Sequence, residues 1–306
     1  MPFSGTYVDD RSTPWGVIIS YYNAISRKEW LRAYDYWRDP ANTMGSFDKF
    51  VAGYSDTGTV DLVFGQITSV DAEGNTYYTV PVVLVAFATN GVEANYSACY
   101  LVRYDPANDF LTPPFDPMGM QSGEAVNIPI STDYATALSA ACDKDKDNIP
   151  FGIIPIGITG ENLSIDNGNY LDNRSGPVET VSSLLNAINL KQHVRGYFYF
   201  QVPGTYPGNY SVWANGFSDT QTITATFGTV KQSGTAGSLF FEVPVAEVIT
   251  SSSNSTQTLV GCYTLHLIEP ANQGDPPFQP IGITAGTFTQ VANGSDVSSQ
   301  LATVCP

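Results

Sequence analysis

The chain is written twice. Shifted by 163 positions, the distance from Cys99 to Cys262, it aligns with itself from Pro14 to Cys142 without a gap. Gly53-Tyr54-Ser55-Asp56-Thr57 falls on Gly216-Phe217-Ser218-Asp219-Thr220, and Tyr77-Tyr78-Thr79-Val80-Pro81 on Phe240-Phe241-Glu242-Val243-Pro244. Pro114-Phe115-Asp116-Pro117-Met118-Gly119 falls on Pro277-Phe278-Gln279-Pro280-Ile281-Gly282. About a quarter of the positions are identical, and chance does not hold one register that long. Such a chain folds as two copies of one domain, and its 306 residues give each copy length for its own core. The boundaries read as a first domain over 1–142, a linker over 143–175 and a second domain over 176–306.

The four cysteines keep the register. Cys99 and Cys142 belong to the first copy, Cys262 and Cys305 to the second, 43 positions apart in each (99 to 142, 262 to 305). Metal sites use close spacings such as Cys-x-x-Cys, and none is present, so one disulfide per copy is expected. Disulfides persist outside the reducing cytosol, which points to an extracellular or cell-surface protein. Met1-Pro2-Phe3-Ser4-Gly5 lacks a basic segment followed by an apolar one, so an export signal is expected to have been removed before Met1.

Thirteen basic against 29 acidic residues leave a formal charge of −16, a field that repels a phosphate backbone and excludes nucleic acid as a partner. The apolar runs Val80–Ala88 and Ile149–Ile158 are too short to span a bilayer and read as strands. Only 14% of residues are charged, so the surface is carried by hydroxyls and amides, as in many secreted proteins.

Each copy opens with a helix. Thr13 or Gly176 stands at its N-cap and Pro14 or Pro177 takes the first helical position, where a missing N–H costs nothing. Trp15, Ile18, Tyr21/Tyr22 and Ile25, and Val178, Val181, Leu184/Leu185 and Ile188, recur at helical spacing and mark a buried face. A second helix is expected over Glu29–Trp37 (Gln192–Phe200), and a third begins at Ser46 or Asn209. Past the Ser-Asp-Thr corner, Thr59–Val70, Thr76–Thr89, Asn95–Tyr104 and Pro117–Ile130 read as four strands rich in Val, Tyr, Phe and Thr. Three helices followed by a curved antiparallel sheet make an α+β domain.

That order resembles the nuclear-transport-factor-2-like superfold, also called ketosteroid-isomerase-like or cystatin-like. The resemblance is carried by Tyr21-Tyr22-Asn23-Ala24-Ile25, Trp30–Trp37 and Ser46–Thr57, and again by Leu184-Leu185-Asn186-Ala187-Ile188 and Asn209–Thr220. Gly261–Leu267 and Pro276–Ile283 are similar to uncharacterised domains of secreted or lipid-anchored bacterial surface proteins. The resemblance implies a conical sheet whose helices enclose a pocket. It also implies pairing of domains sheet to sheet, which two tandem copies would satisfy as a pseudo-dimer within one chain.

Several residues are candidates for chemistry. Asp143, Asp145 and Asp147, followed by Asn148, alternate as in calcium loops, but Ile154 stands where the bidentate Glu belongs, so a charged connector competes with a calcium site. The apolar stretch after it, Ile149–Thr159, is expected to pack as an added strand. His193 and His266 occur only in the second copy; His193 reads as a surface or packing residue, and His266 as a residue that could face the pocket. Asp56 and Asp219 are shared, as are Tyr34, Tyr36, Tyr197 and Tyr199, the residue types that ketosteroid isomerases use for proton transfer without metal. Against this, Asp in a Ser-Asp-Thr corner commonly caps backbone N–H groups, and shared tyrosines commonly build core. No nucleophile elbow, phosphate loop or dinucleotide fingerprint is present. Asn-x-Ser/Thr sites begin at Asn95, Asn162, Asn173, Asn209, Asn254 and Asn293.

The ionisable candidates mostly differ between copies: Asp35 against Phe198, Glu29 against Gln192, Arg103 against His266, Asp61 against Thr224, with Asp56/Asp219 the clear exception. Two copies of one active site should retain its acid and base. The expected function is therefore a non-catalytic extracellular module that binds a small molecule, glycan or protein, or builds a surface assembly by self-association. The alternative is a metal-independent isomerase, dehydratase or hydrolase of the ketosteroid-isomerase type acting on a small apolar substrate.

Overall fold

A computed structural model describes residues 6–106, 112–142 and 170–306. The chain divides into two compact units, the first built mainly from residues up to Asn167 and the second mainly from Gly168 onward. The first contains α1 (Pro14–Ser26), α2 (Trp30–Asp35), α3 (Pro40–Thr43), α4 (Phe47–Gly53), β1 (Thr57–Phe64), β2 (Thr68–Ala72), β3 (Asn75–Ala88), β4 (Glu93–Tyr104), β5 (Gly119–Ile128) and α5 (Tyr134–Ala141). The second contains α6 (Pro177–Asn189), α7 (His193–Tyr197), α8 (Tyr210–Asn215), β6 (Thr220–Phe227), β7 (Lys231–Thr235), β8 (Ser238–Ser251), β9 (Thr256–Ile268), β10 (Gly282–Val291) and α9 (Ser298–Leu301). Both units are α+β, with the antiparallel order β1-β3-β4-β5 in one and β6-β8-β9-β10 in the other. The strand registers repeat as well: Pro81 opposes Cys99, and Pro244 opposes Cys262.

The helix starts follow the capping chemistry. Gly16 N–H donates to Thr13 Oγ1 at 3.0 Å, Lys49 N–H to Ser46 Oγ at 3.3 Å, and Ser211 N–H to Asn209 Oδ1 at 3.0 Å. On the sheet, Val60, Leu62, Phe64, Val80, Val82, Leu84, Ala98, Tyr100 and Val102 alternate onto the face that meets α1. We call this the inner face. The outer face of the first unit carries Val83 against Ala137 and Leu138 of α5, which Cys99–Cys142 ties to β4. In the second unit Cys262–Cys305 ties the chain end after α9, where Leu301 packs on Ala246 and Val260.

Four expectations change. The strand expected over Thr59–Val70 is two strands, because both lie along one edge of β3 and part at Pro81. Proline has no N–H to offer the ladder, and its carbonyl takes the Gly65 N–H at 2.9 Å instead; Gly228 and Pro244 repeat this. Helices α5 and α9 were not anticipated, although Asp133 caps α5 through Thr136 N–H at 2.9 Å and Ala137 and Leu138 supply its buried face. Helix α1 buries far more than one stripe, because the arm Thr6–Ser12 covers its other side. Asn23 Nδ2 donates to Thr6 O at 2.8 Å, Val8 N–H to Asn23 Oδ1 at 3.1 Å, and Asp10 N–H to Ser20 Oγ at 2.8 Å. Tyr170–Ser175, read above as the end of the linker, is the same arm of the second unit. There Leu171 N–H reaches Asn186 Oδ1 at 3.0 Å and Asn173 N–H reaches Ser183 Oγ at 2.9 Å.

Candidate functional site

The most elaborate polar cluster in each unit is one that sequence reading missed. Arg32, 1% exposed, sits between α1, α2 and the arm. Its Nε and Nη2 meet Glu29 Oε2 at 2.7 and 2.5 Å, Nη2 donates to Asn23 Oδ1 at 2.8 Å, and Nη1 donates to Val8 O at 2.5 Å. Tyr36 OH donates to Asp9 Oδ1 at 2.7 Å, and Arg11 lies 4.4 Å over the Tyr36 ring. Burial works against the Arg32 charge, but Tyr36, Tyr7, Glu29 and Asp9 outweigh it and hold the guanidinium above its ordinary value. In the second unit Arg195 bonds Gln192, Asn186 and Leu171 O, Tyr199 OH donates to Asp172 Oδ1 at 2.8 Å, and Arg174 lies 4.5 Å over Tyr199. Asp9, Arg11 and Arg32 thus recur as Asp172, Arg174 and Arg195 in the same register. The sequence carried one part of the signal, an arginine kept in both copies; its burial is set by the arm. It holds the arm to the helices and touches no cavity lining described below.

The four tyrosines proposed for a pocket are buried and bonded. Tyr34 OH donates to Gly45 O at 2.6 Å, and Tyr197 OH donates to Gly208 O; Tyr36 and Tyr199 belong to the arginine clusters. Asp56 and Asp219 are exposed. Their backbone carbonyls brace the corner, taking Thr89 N–H and Ser252 N–H at 2.8 Å each, and the Asp219 carboxylate takes the Ser252 hydroxyl rather than a backbone N–H. His266 does not face the inner side: Leu265 and Leu267 do, and the intervening ring stacks on Phe240 at 4.6 Å with Nδ1 2.9 Å from Gln201 Oε1. His193 packs at 6.3 Å against Trp213, and burial lowers its pKa. Asn95 is fully buried, so that glycosylation motif is closed in the folded unit. Asp143, Asp145 and Asp147, and the stretch Ile149–Thr159, lie outside the described residues. Among the described residues no group of three or more His, Cys, Asp or Glu side chains could hold a metal ion, and no helix is long and apolar enough to cross a membrane.

The inner faces of the two units differ. The first is sealed by aromatic side chains: Tyr21 OH bonds Tyr54 OH at 2.6 Å, Tyr22 OH bonds Tyr100 OH, and Trp37 stacks edge-on against both Tyr21 and Tyr100. Burial raises the pKa of each of these four phenols, so they stay neutral. The second places a carboxylate there. Glu247 of β8, 5% exposed, accepts from Tyr263 OH at 3.1 Å through Oε1. Its sequence signal is phase: it falls on the same side as Phe241, Val243 and Val245, which fill the core.

Burial pushes the Glu247 carboxyl from 4.5 up to about 7, against the lowering effect of the Tyr263 hydrogen bond. The unfolded chain therefore ionises at lower pH than the folded one. Stability of the second unit should fall by about 3 kcal/mol as pH rises from below 4.5 to above 7. Glu247→Leu, which installs the residue of the first copy (Leu84), should remove that slope and stabilise the second unit at pH 8. Urea titrations at pH 4.5 and 8 check this, and equal slopes for the variant and the natural chain would disprove it.

Two cavities lie beside the disulfide-tethered helices. One, of about 570 Å³, is on the outer face of the first unit and is lined by Ser97, Leu101, Glu124, Val126 and the Cys99–Cys142 bridge. The other, of about 440 Å³, is lined by Phe227, Gly228, Lys231, Leu301 and Cys305. Lys231 there is engaged by the carbonyls of Cys305 at 3.1 Å and Pro306 at 2.8 Å. Neither lining pairs an acid with a base across open space. The architecture defines a class, a disulfide-tethered α+β unit in two copies. Searches with protein-family models, curated proteins and solved structures find no match to this chain.

Proposed function

We propose that the protein is a non-catalytic extracellular module that binds a small molecule, glycan or protein, or builds a surface assembly. The observation that supports it best is where the shared ionisable residues go. Asp9/Asp172, Arg11/Arg174 and Arg32/Arg195 are consumed in clusters that hold each arm to its helices, and Asp56/Asp219 stand exposed at a corner. Duplication has preserved fold-holding chemistry rather than an acid–base pair. The two disulfides suit an oxidising compartment. The reading includes the conical arrangement of the nuclear-transport-factor-2-like superfold and sheet-to-sheet pairing of the copies.

One observation favours the enzymatic alternative: Glu247 beside Tyr263 is a carboxyl near neutrality with a phenol in reach, the pair a proton-transfer enzyme uses. It is present in the second unit only, Leu84 standing in its place in the first. A thermal-shift screen against apolar small molecules and glycans separates the readings. Compounds that raise the melting temperature should be recovered chemically unchanged after prolonged incubation with stoichiometric protein. Conversion of a bound compound, lost in Glu247→Gln, would replace this proposal with the metal-independent enzyme.

A further inference from the structure

The cross-strand pair Leu62–Leu84 of the first unit becomes Ala225–Glu247 in the second, and Ala98 becomes Gly261. Each exchange removes apolar bulk from one region of the inner face. Elsewhere the second copy adds rings: Tyr206 stands where the first has Thr43, and Phe288 where it has Ala125. Phe288 packs 4.9 Å from Tyr263 over the space that a Gly261 side chain would fill. Tyr206 OH donates to Gly286 O at 3.4 Å. Leu62 is buried in the first unit, whereas Ala225, opposite Glu247, is partly exposed in the second. Apolar filling is lost opposite Glu247 at Ala225, and the partly buried rings of Tyr206 and Phe288 stand where the first unit has the exposed Thr43 and Ala125.

Glu247 sits at that place without a counter-ion. Its Oε1 takes the Tyr263 hydroxyl, while Oε2 takes no hydrogen bond and the carboxylate no ion pair among the described residues. A buried carboxylate lacking a cation is costly, and a core packed for stability alone would use leucine, as the first copy does. Rings of Tyr and Phe beside it offer faces that attract alkylammonium groups. A neutral apolar ligand would leave the carboxylate unmatched, and an anion would be repelled by it.

We propose that the inner face of the second unit binds an organic ammonium ion, its charge met by Glu247 and its alkyl groups packed on Tyr206, Tyr263 and Phe288. The proposal rests on reading the chain as a binding module and names the ligand class of that module. Calorimetry on the full chain at pH 8 tests it with choline, benzyltrimethylammonium and the uncharged choline isostere 3,3-dimethylbutan-1-ol. One saturable site per chain is expected for at least one of the two cations. Binding should weaken at least tenfold for the uncharged isostere, and as much for the choline or benzyltrimethylammonium complex of Glu247→Gln. Glu247→Leu, carrying the first copy's residue, provides a second variant whose fold is checked by circular dichroism. Asp219→Asn, an exposed carboxylate of the same unit, should bind as the natural chain does, which separates the site from general attraction to an acidic protein. Absence of saturable cation binding, equal affinity for the isostere, or unchanged affinity in both Glu247 variants would overturn the site. The module reading would still stand if another compound raised the melting temperature and came back unchanged.

Discussion

Replacing Arg32 by methionine should destabilise the first unit by about 3–5 kcal/mol, the range for removing one partner from a buried charge cluster. Methionine matches much of the volume but offers no donors. Val8 O, Asn23 Oδ1 and one edge of Glu29 then lose the bonds that Arg32 supplied, and Asn23 and Glu29 are buried. The arm Thr6–Ser12 depends on the same guanidinium, so its amides should lose protection before those of the sheet. Hydrogen exchange measured by mass spectrometry on the full chain resolves the two units. Peptides of the first should exchange faster while those of the second hold. Arg195→Met should act on the second unit in the same way with a smaller residue of unpaired charge, because Gln192 replaces Glu29 there. A change no larger than a typical surface substitution, about 0.5 kcal/mol, would remove the cluster from its structural role.

Removing the disulfides is expected to cost about 4 kcal/mol in each unit, because each closes a 43-residue separation whose freedom returns to the unfolded chain. The two copies should respond differently in their folded states. Helix α5 has eight residues, the Asp133 cap and the buried pair Ala137 and Leu138, so it should stay partly docked in the Cys99→Ser/Cys142→Ser variant. Helix α9 has only four residues and one buried leucine, although Asp296 Oδ1 takes the N–H of its first residue, Ser298, at 2.9 Å, so Cys262→Ser/Cys305→Ser should release it. Urea midpoints give the stability loss, and exchange at 134–141 and 298–301 reads the docking. Equal protection of both helices after bridge removal would contradict this.

The helix starts at Thr13-Pro14 and Ser46, the strand periodicity and both disulfides were readable, since capping, alternation and cysteine register are local or follow directly from the repeat. The division at Pro81 was also written in the chain, but its meaning depended on β3 having neighbours on both edges. Tyr34 and Tyr36 were correctly singled out as shared, but as pocket residues. Only the fold shows Tyr36 closing on Asp9 across 27 positions and Tyr34 on the Gly45 carbonyl. His266 and Asp56 carried chemical promise by residue type, and strand phase and exposure removed it.

The sequence by itself determined that there are two copies of one α+β unit, each tied by its own disulfide, because repetition, periodicity and cysteine spacing need no knowledge of distant neighbours. Tertiary structure alone decided what the charged residues do. Arg32 and Glu247 look like ordinary surface residues until the arm covers one and strand phase turns the other inward. A charge acquires its role from the dielectric and the partners around it, and those are set by segments far away in the chain.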